Sequence, residues 1–174
     1  MKYILLFLSV MLVNTAYASE FEGTLELAKK GDVIAQYHLG LMYDLVENDA
    51  EAVKWYRKAA DQGLADAQYH LGVMYANGLG VPENDAEAVK WHRKAADQGD
   101  ASAQYNLGFM YANGHGVPAN FIRGYLWWSM AKTQGEESAA KDINTLIAVM
   151  TPNQIADGQA LAAKCFESNY KECD

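Results

Sequence analysis

Cysteine is scarce in this sequence: Cys165 and Cys173 are the only two, both near the carboxyl end. Two thiols with no histidine close by make a poor zinc site, and their spacing is not the C-x-x-C of a redox pair. In an oxidising compartment such an isolated pair is expected to close into a disulfide, with a redox or metal pair as the rival reading. A bond around so short a loop contributes roughly 2 to 3 kcal/mol if unstrained. Catalytic signatures are lacking too. No G-x-S-x-G, H-E-x-x-H or cysteine–histidine arrangement occurs, and no G-K-[ST] follows the glycine-rich stretches. The expectation is a non-enzyme with no catalytic residue, no metal and no cofactor.

Long apolar runs are also missing, with one exception at the amino end. Met1-Lys2 gives a short positive start, Ile4 to Val13 is almost unbroken apolar sequence, and Ala16-Tyr17-Ala18 closes it. This is the pattern of a signal peptide over residues 1–18, cleaved before Ser19. The run is short for a bilayer span, and no cysteine follows it to carry lipid. The mature chain is therefore expected to have no membrane anchor and to be exported, periplasmic or secreted. Residues 19–174 suffice for one domain with a sizeable core.

Positive charge is in deficit, 14 Lys and Arg against 22 Asp and Glu. Loss of Lys2, with no acidic residue beside it, takes the formal net charge from −8 to −9. Such a chain repels nucleic acid and anionic headgroups. A basic protein patch or a small ligand suits it better.

What is present is repetition. A-Q-Y-H-L-G-L-M-Y begins at Ala35, A-Q-Y-H-L-G-V-M-Y at Ala67 and A-Q-Y-N-L-G-F-M-Y at Ala103. A second segment, A-E-A-V-K-W-Y-R-K-A-A-D-Q-G, begins at Ala50 and recurs with one change at Ala86; a degenerate copy starts at Phe121. Both segments are helical by periodicity, through Ala35, Leu39, Met42 and Tyr43 in one and Ala52, Trp55, Tyr56 and Ala59 in the other. Gly40 and Ala52 would let the paired helices approach closely. Asn48 with Glu51, and Asn84 with Glu87, have capping-box spacing, and Gly63, Gly99 and Gly135 are placed to stop the second helix. The fold expected is all-α, an α/α superhelical solenoid of stacked antiparallel helix pairs. Its repeats are 33–63, 65–99 and 101–135, after an N-terminal half-unit at 21–31 and before C-terminal capping helices over 136–174. In the last stretch Glu136 to Val149 reads as one more first helix, and Thr151-Pro152-x-Gln154 opens a final one. Unit one lacks four residues of the connector, since Tyr43 to Trp55 is 12 positions against 16 for Tyr75 to Trp91.

The order Leu-Gly, Tyr, Gly-x-Gly-Val-Pro, Trp, Lys-Ala-Ala over Phe21 to Gly135 resembles the Sel-one-like repeat (SLR), a relative of the tetratricopeptide repeat. The resemblance implies a superhelix that mediates protein–protein contacts, often in exported bacterial proteins. It also raises two narrower readings. Several SLR proteins with signal peptides are periplasmic immunity proteins against toxins of rival bacteria, phospholipases among them. Others are linked with β-lactam or cell-wall hydrolysis, but those resemble a pattern with a cysteine pair in each repeat, and these repeats hold none.

On a helical wheel Tyr37 and Leu41 lie opposite the inward Leu39 and Tyr43. Their counterparts are Tyr69 and Val73, then Tyr105 and Phe109, with Asn77 and Asn113 at the edge. By similarity to the tetratricopeptide repeat these positions line the concave face, and they are the expected partner-binding residues for a protein or peptide. Burial of the same stripe between neighbouring helices is the competing reading. His38 and His70 recur on successive first helices, but the third unit has Asn106 there, so a solvated flank is expected rather than a metal bridge. His92 stands where Tyr56 and Trp128 do and is expected to be packed.

Overall fold

Short polar side chains start most of the helices, and glycine or a tight turn ends them. In the structure, a computed structural model that describes residues 18–173, helix α1 covers the described residues 18–29. It is followed by α2 (Val33–Leu45), α3 (Asp49–Asp61), α4 (Ala65–Asn77), α5 (Asp85–Ala96), α6 (Ala101–Asn113), α7 (Phe121–Thr133), α8 (Glu137–Ile147) and α9 (Pro152–Glu167). No strand occurs among the described residues. The leader expected over residues 1–18 lies outside them but for its last residue.

The caps follow the sequence with one difference. Asn48 and Asn84 accept hydrogen bonds from the backbone N–H of Glu51 and Glu87. The glutamates do not complete the box; each turns to a lysine one turn on, Lys54 or Lys90, at 2.5 Å. A lysine ammonium offers the carboxylate a charge as well as a donor, so it wins over the cap N–H. The complete reciprocal box occurs at α9, between Thr151 and Gln154.

The chain then stacks in order: α2 on α3, α3 on α4, and so on to α7, which carries both α8 and α9. Leu39, Leu71 and Leu107 are fully buried between the layers. Each such burial is worth about 1.5 to 3 kcal/mol, and none is available to a unit standing alone. The Gly-x-Gly connectors lock one unit to the one before. A Cβ on Gly80 would collide with the backbone of Asp49, and one on Gly116 with that of Asp85, the first residues of the previous second helix. Unit one has no such connector. Its shorter turn leaves Leu45 and Val46 at 88% and 69% exposure and puts Glu47 at φ +57°.

The ends are closed differently. At the amino end Ala28 of α1 joins Ala35, Leu39 and Trp55 in a small cluster. At the carboxyl end Cys165 and Cys173 are bonded and both buried. The bond holds the tail after α9 against the junction of the second and third units, where the Tyr170 ring lies over Gly99 between α5 and α6.

Candidate binding groove

The first helix of every unit, α2, α4 and α6, repeats Ala-Gln-Tyr-x-Leu-Gly, and each position has a distinct task. Alanine and leucine are core. The glutamines Gln36, Gln68 and Gln104 are buried as well, at 5%, 4% and 0% exposure. Each donates to a carbonyl of the preceding second helix (Ala28, Ala60 or Ala96) at 3.1 Å. Each also accepts from the glutamine that ends its own unit (Gln62, Gln98 or Gln134) at 2.7 to 2.8 Å. One amide thus ties three helices together, and satisfaction of this kind spares a buried polar group its desolvation cost. The helical pattern gave no hint of it; the signal available was the threefold Ala-Gln matched by a threefold Gln-Gly.

The glycine makes room for a ring. A Cβ on Gly40, Gly72 or Gly108 would stand 2.5 to 2.7 Å from Tyr56, His92 or Trp128. These rings sit at one position of the second helices, so His92 is packed as its place in the repeat implies. The tyrosines then lie against the same rings: Tyr37 on Tyr56 at 6.0 Å, Tyr69 on His92 at 5.8 Å and Tyr105 on Trp128 at 6.5 Å. They do not stack on one another. His70 departs from the solvated flank that its spacing suggested. It is wedged between units, stacked on Tyr56 at 5.0 Å with its Nε2 at 3.4 Å from the Tyr37 hydroxyl, and burial lowers its pKa. His38, its counterpart, is exposed.

The eight candidate residues therefore divide. Tyr37 and Leu41 are half-buried against the core of Ala52, Tyr56 and Leu71. Tyr69, Val73, Asn77 and Phe109 line a groove of about 440 Å³ between the second and third units. Tyr105, Phe109 and Asn113 line a second, of about 520 Å³, between α6 and α8. Phe109 is the partition, and it is 48% exposed. Asn77 and Asn113 spend their amide N–H groups on the Val73 and Phe109 carbonyls of their own helices, at 2.8 and 2.9 Å. Residues outside the wheel argument complete the walls: Glu83 and His115 from the connectors, Asp85 from the first turn of α5, and Asp142 and Val149 from the last first-type helix and its end.

Charge is segregated between the two helix types. Helices α2, α4 and α6 carry no lysine or arginine. Within the three units the cations stand on α3, α5 and α7, where Lys58 covers Trp55 at 3.9 Å, Lys94 covers Trp91 at 4.0 Å and Arg93 faces Trp127 at 4.9 Å; outside them Lys141 stands on α8 and Lys164 on α9. Carboxylates border the tyrosines instead. Burial first, then Asp66 and Asp100, raises the Tyr37 pKa; burial, then Asp100 and Glu136, raises that of Tyr69. Tyr105 donates to Asp142 at 2.8 Å, which with burial pushes its hydroxyl up to about 12. Asp100 and Glu136 are also the N-caps of α6 and α8. Among the described residues no cluster of histidine, cysteine, aspartate and glutamate is placed to hold a metal ion, and no helix is long and apolar enough to cross a membrane.

Stacked helix pairs with an uncovered first-helix face define an α-helical repeat scaffold of the kind that works through protein contacts. The Sel1 repeat model matches residues 33–64, 65–100 and 101–136, and the chain belongs to the Sel1 repeat family. No curated protein matches it. Among solved structures it is similar to a protective antigen of uropathogenic Escherichia coli strains that displays an SLR fold, with 31% identity and a TM-score of 0.81. That match covers 88% of this chain, which spans only 34% of the antigen's length. A Sel1 repeat protein from Oxalobacter formigenes matches with 36% identity and a TM-score of 0.66, over 72% of this chain and 98% of the other.

Proposed function

We propose that the protein is an exported, non-enzymatic adaptor that holds a protein or peptide on the concave face formed by α2, α4 and α6. The observation that carries this reading is Phe109, a large ring left half in solvent between two grooves, where the core has no use for it. Rings of this kind, flanked by partly exposed tyrosines, supply contact area at little entropic cost and are common at binding hot spots. Export draws on the apolar run Ile4 to Val13 with its Ala-Tyr-Ala end and on the disulfide between Cys165 and Cys173.

The test is capture of a partner from the exported fraction by wild-type protein and by two variants. Changing Tyr37, Tyr69 and Tyr105 together to Ala removes the row but also takes half-buried rings from the core. Phe109→Asp is the cleaner lesion, because its ring is the most exposed of the row. Loss of the captured species with the helical circular dichroism intact supports the reading; undiminished capture by both variants refutes it. Edman sequencing of protein recovered from the producing cells should begin at Ser19. A toxin-neutralising role is a narrower form of the same proposal, favoured by the acidic border of the tyrosines, and a toxin-like gene beside this one would be its first support.

A further inference from the structure

We propose that the partner segment is basic and apolar in turn: a lysine or arginine side chain enters the groove between the second and third units, and a bulky apolar side chain enters the groove beside it. This inference rests on the adaptor reading above and adds the chemistry of what the face accepts.

The first groove carries the polar end of the argument. Glu83 and Asp85 stand on its wall, and among the described residues no lysine or arginine lines it. Its buried imidazole, His92, is 1% exposed, and burial lowers its pKa to about 4, so it carries no charge at neutral pH that would repel a cation. The apolar faces of Val73 and Phe109 offer a bed for the methylene stem of a long cationic side chain, and aromatic rings attract its head. Asp85 is already in contact with His115 at 3.3 Å, and that imidazole stacks on Phe109 at 5.5 Å, so the wall is held in place before any partner arrives.

The second groove has the opposite character. Phe109, Phe121, Trp128, Leu146 and Val149 line it, with Asp142 already engaged by the Tyr105 hydroxyl. Val149 is 65% exposed and faces the partly exposed Phe109 across it. An apolar side chain of the partner would cover both. Because one ring divides the two grooves, a single segment crossing Phe109 reaches both.

Among the described residues no lysine or arginine of the chain lines the first groove, so the basic group comes from outside it. A second copy could supply it, through Lys54 or Lys90, both on exposed helix faces. The experiment must separate that case.

Fluorescein-labelled peptides pairing Arg with Trp, Glu with Trp, Gln with Trp and Arg with Ser at several spacings in a Gly-Ser background would be titrated into the disulfide-intact protein. The expected result is tightest binding of an Arg–Trp peptide, at least tenfold over its Glu–Trp counterpart. That preference should weaken between about 0.1 and 1 M salt, as the Debye length falls from about 10 to 3 Å. The double variant Glu83→Gln/Asp85→Asn should abolish the preference for Arg while leaving the Trp contribution. Val149→Asp should do the reverse. Equal or better binding of the Glu–Trp peptide, or a preference for Arg that survives Glu83→Gln/Asp85→Asn, overturns the inference but leaves the adaptor reading standing. If no peptide binds and Phe109→Asp still captures the native partner, both fall. A dimer in sedimentation that disappears in Glu83→Gln/Asp85→Asn would assign the groove to a second copy of the chain and overturn the partner segment proposed.

Discussion

Replacing Gly72 by alanine sets two effects of opposite sign against each other. Gly72 is buried in the interior of α4, where alanine should stabilise the helix by about 1 kcal/mol. The new methyl would meet His92, however, at 2.7 Å from both Cε1 and Nδ1 and 3.0 Å from Cγ. Those are ring atoms of a side chain only 1% exposed, with no flexible end to swing away. Helix α4 or α5 must shift by more than half an ångström to restore ordinary contact, and overpacking of this kind costs about 1 to 3 kcal/mol. Packing therefore wins. Gly72→Ala should destabilise the protein by up to about 2 kcal/mol net, or up to roughly 8 °C in Tm for a chain of this length. Removing the ring reverses the sign. His92→Ala alone should cost about 2 to 4 kcal/mol through its cavity. Within that background Gly72→Ala should be neutral or stabilising by up to about 1 kcal/mol, because only propensity is left. The double-mutant cycle, read by urea unfolding with far-UV circular dichroism, should thus give a coupling of about 2 kcal/mol. A Gly72→Ala that stabilises the wild type, or costs the same in both backgrounds, would refute the reasoning. It would also refute it for Gly40 with Tyr56 and Gly108 with Trp128, which repeat the contact.

Gln104→Leu keeps the volume but strips Ala96 of a donor and Gln134 of its acceptor, so urea unfolding should show a loss of about 1 to 3 kcal/mol; a neutral result would deny the three-helix tie. Acidification should destabilise the protein through His92, whose folded pKa of about 4, lowered by burial, lies below the ordinary histidine value of about 6.5. The unfolded chain takes up that proton first, so stability is full above about pH 6.5 and falls by roughly 3 kcal/mol as the pH drops towards 4. His70, lowered by burial, acts in the same sense, and Asp100, raised by burial, in the opposite one. His92→Tyr, which installs the ring that Gly40 already accommodates at position 56, should flatten the wild-type slope in Tm between about pH 4 and 6.5; equal slopes would contradict it.

The helices and their order were legible because their causes are local. Apolar spacing, an asparagine before an acidic turn, a threonine-proline start and a glycine at a helix end all act within a few residues. Repetition then did the work of tertiary information: a segment that recurs three times must be packed the same way three times, which exposed the solenoid and even the equivalence of Tyr56, His92 and Trp128. The wheel also chose the first-helix stripe. It could not say how much of that stripe stays open, because a wheel describes one helix and openness depends on the layer beside it. Tyr37 and Leu41 are drawn into the core around Tyr56 and Leu71, whereas Phe109 remains half in water. His70 is wedged between two rings only because α4 lies against the first unit, while the equivalent His38 stays outside. Likewise Asp85, at the start of α5, and His115, in the connector 30 residues on, meet in one groove. Sequence determined which residues form helices and which faces are apolar; the offset between stacked units decided which of them water can reach, since that offset is fixed by contacts between layers and not within any one of them.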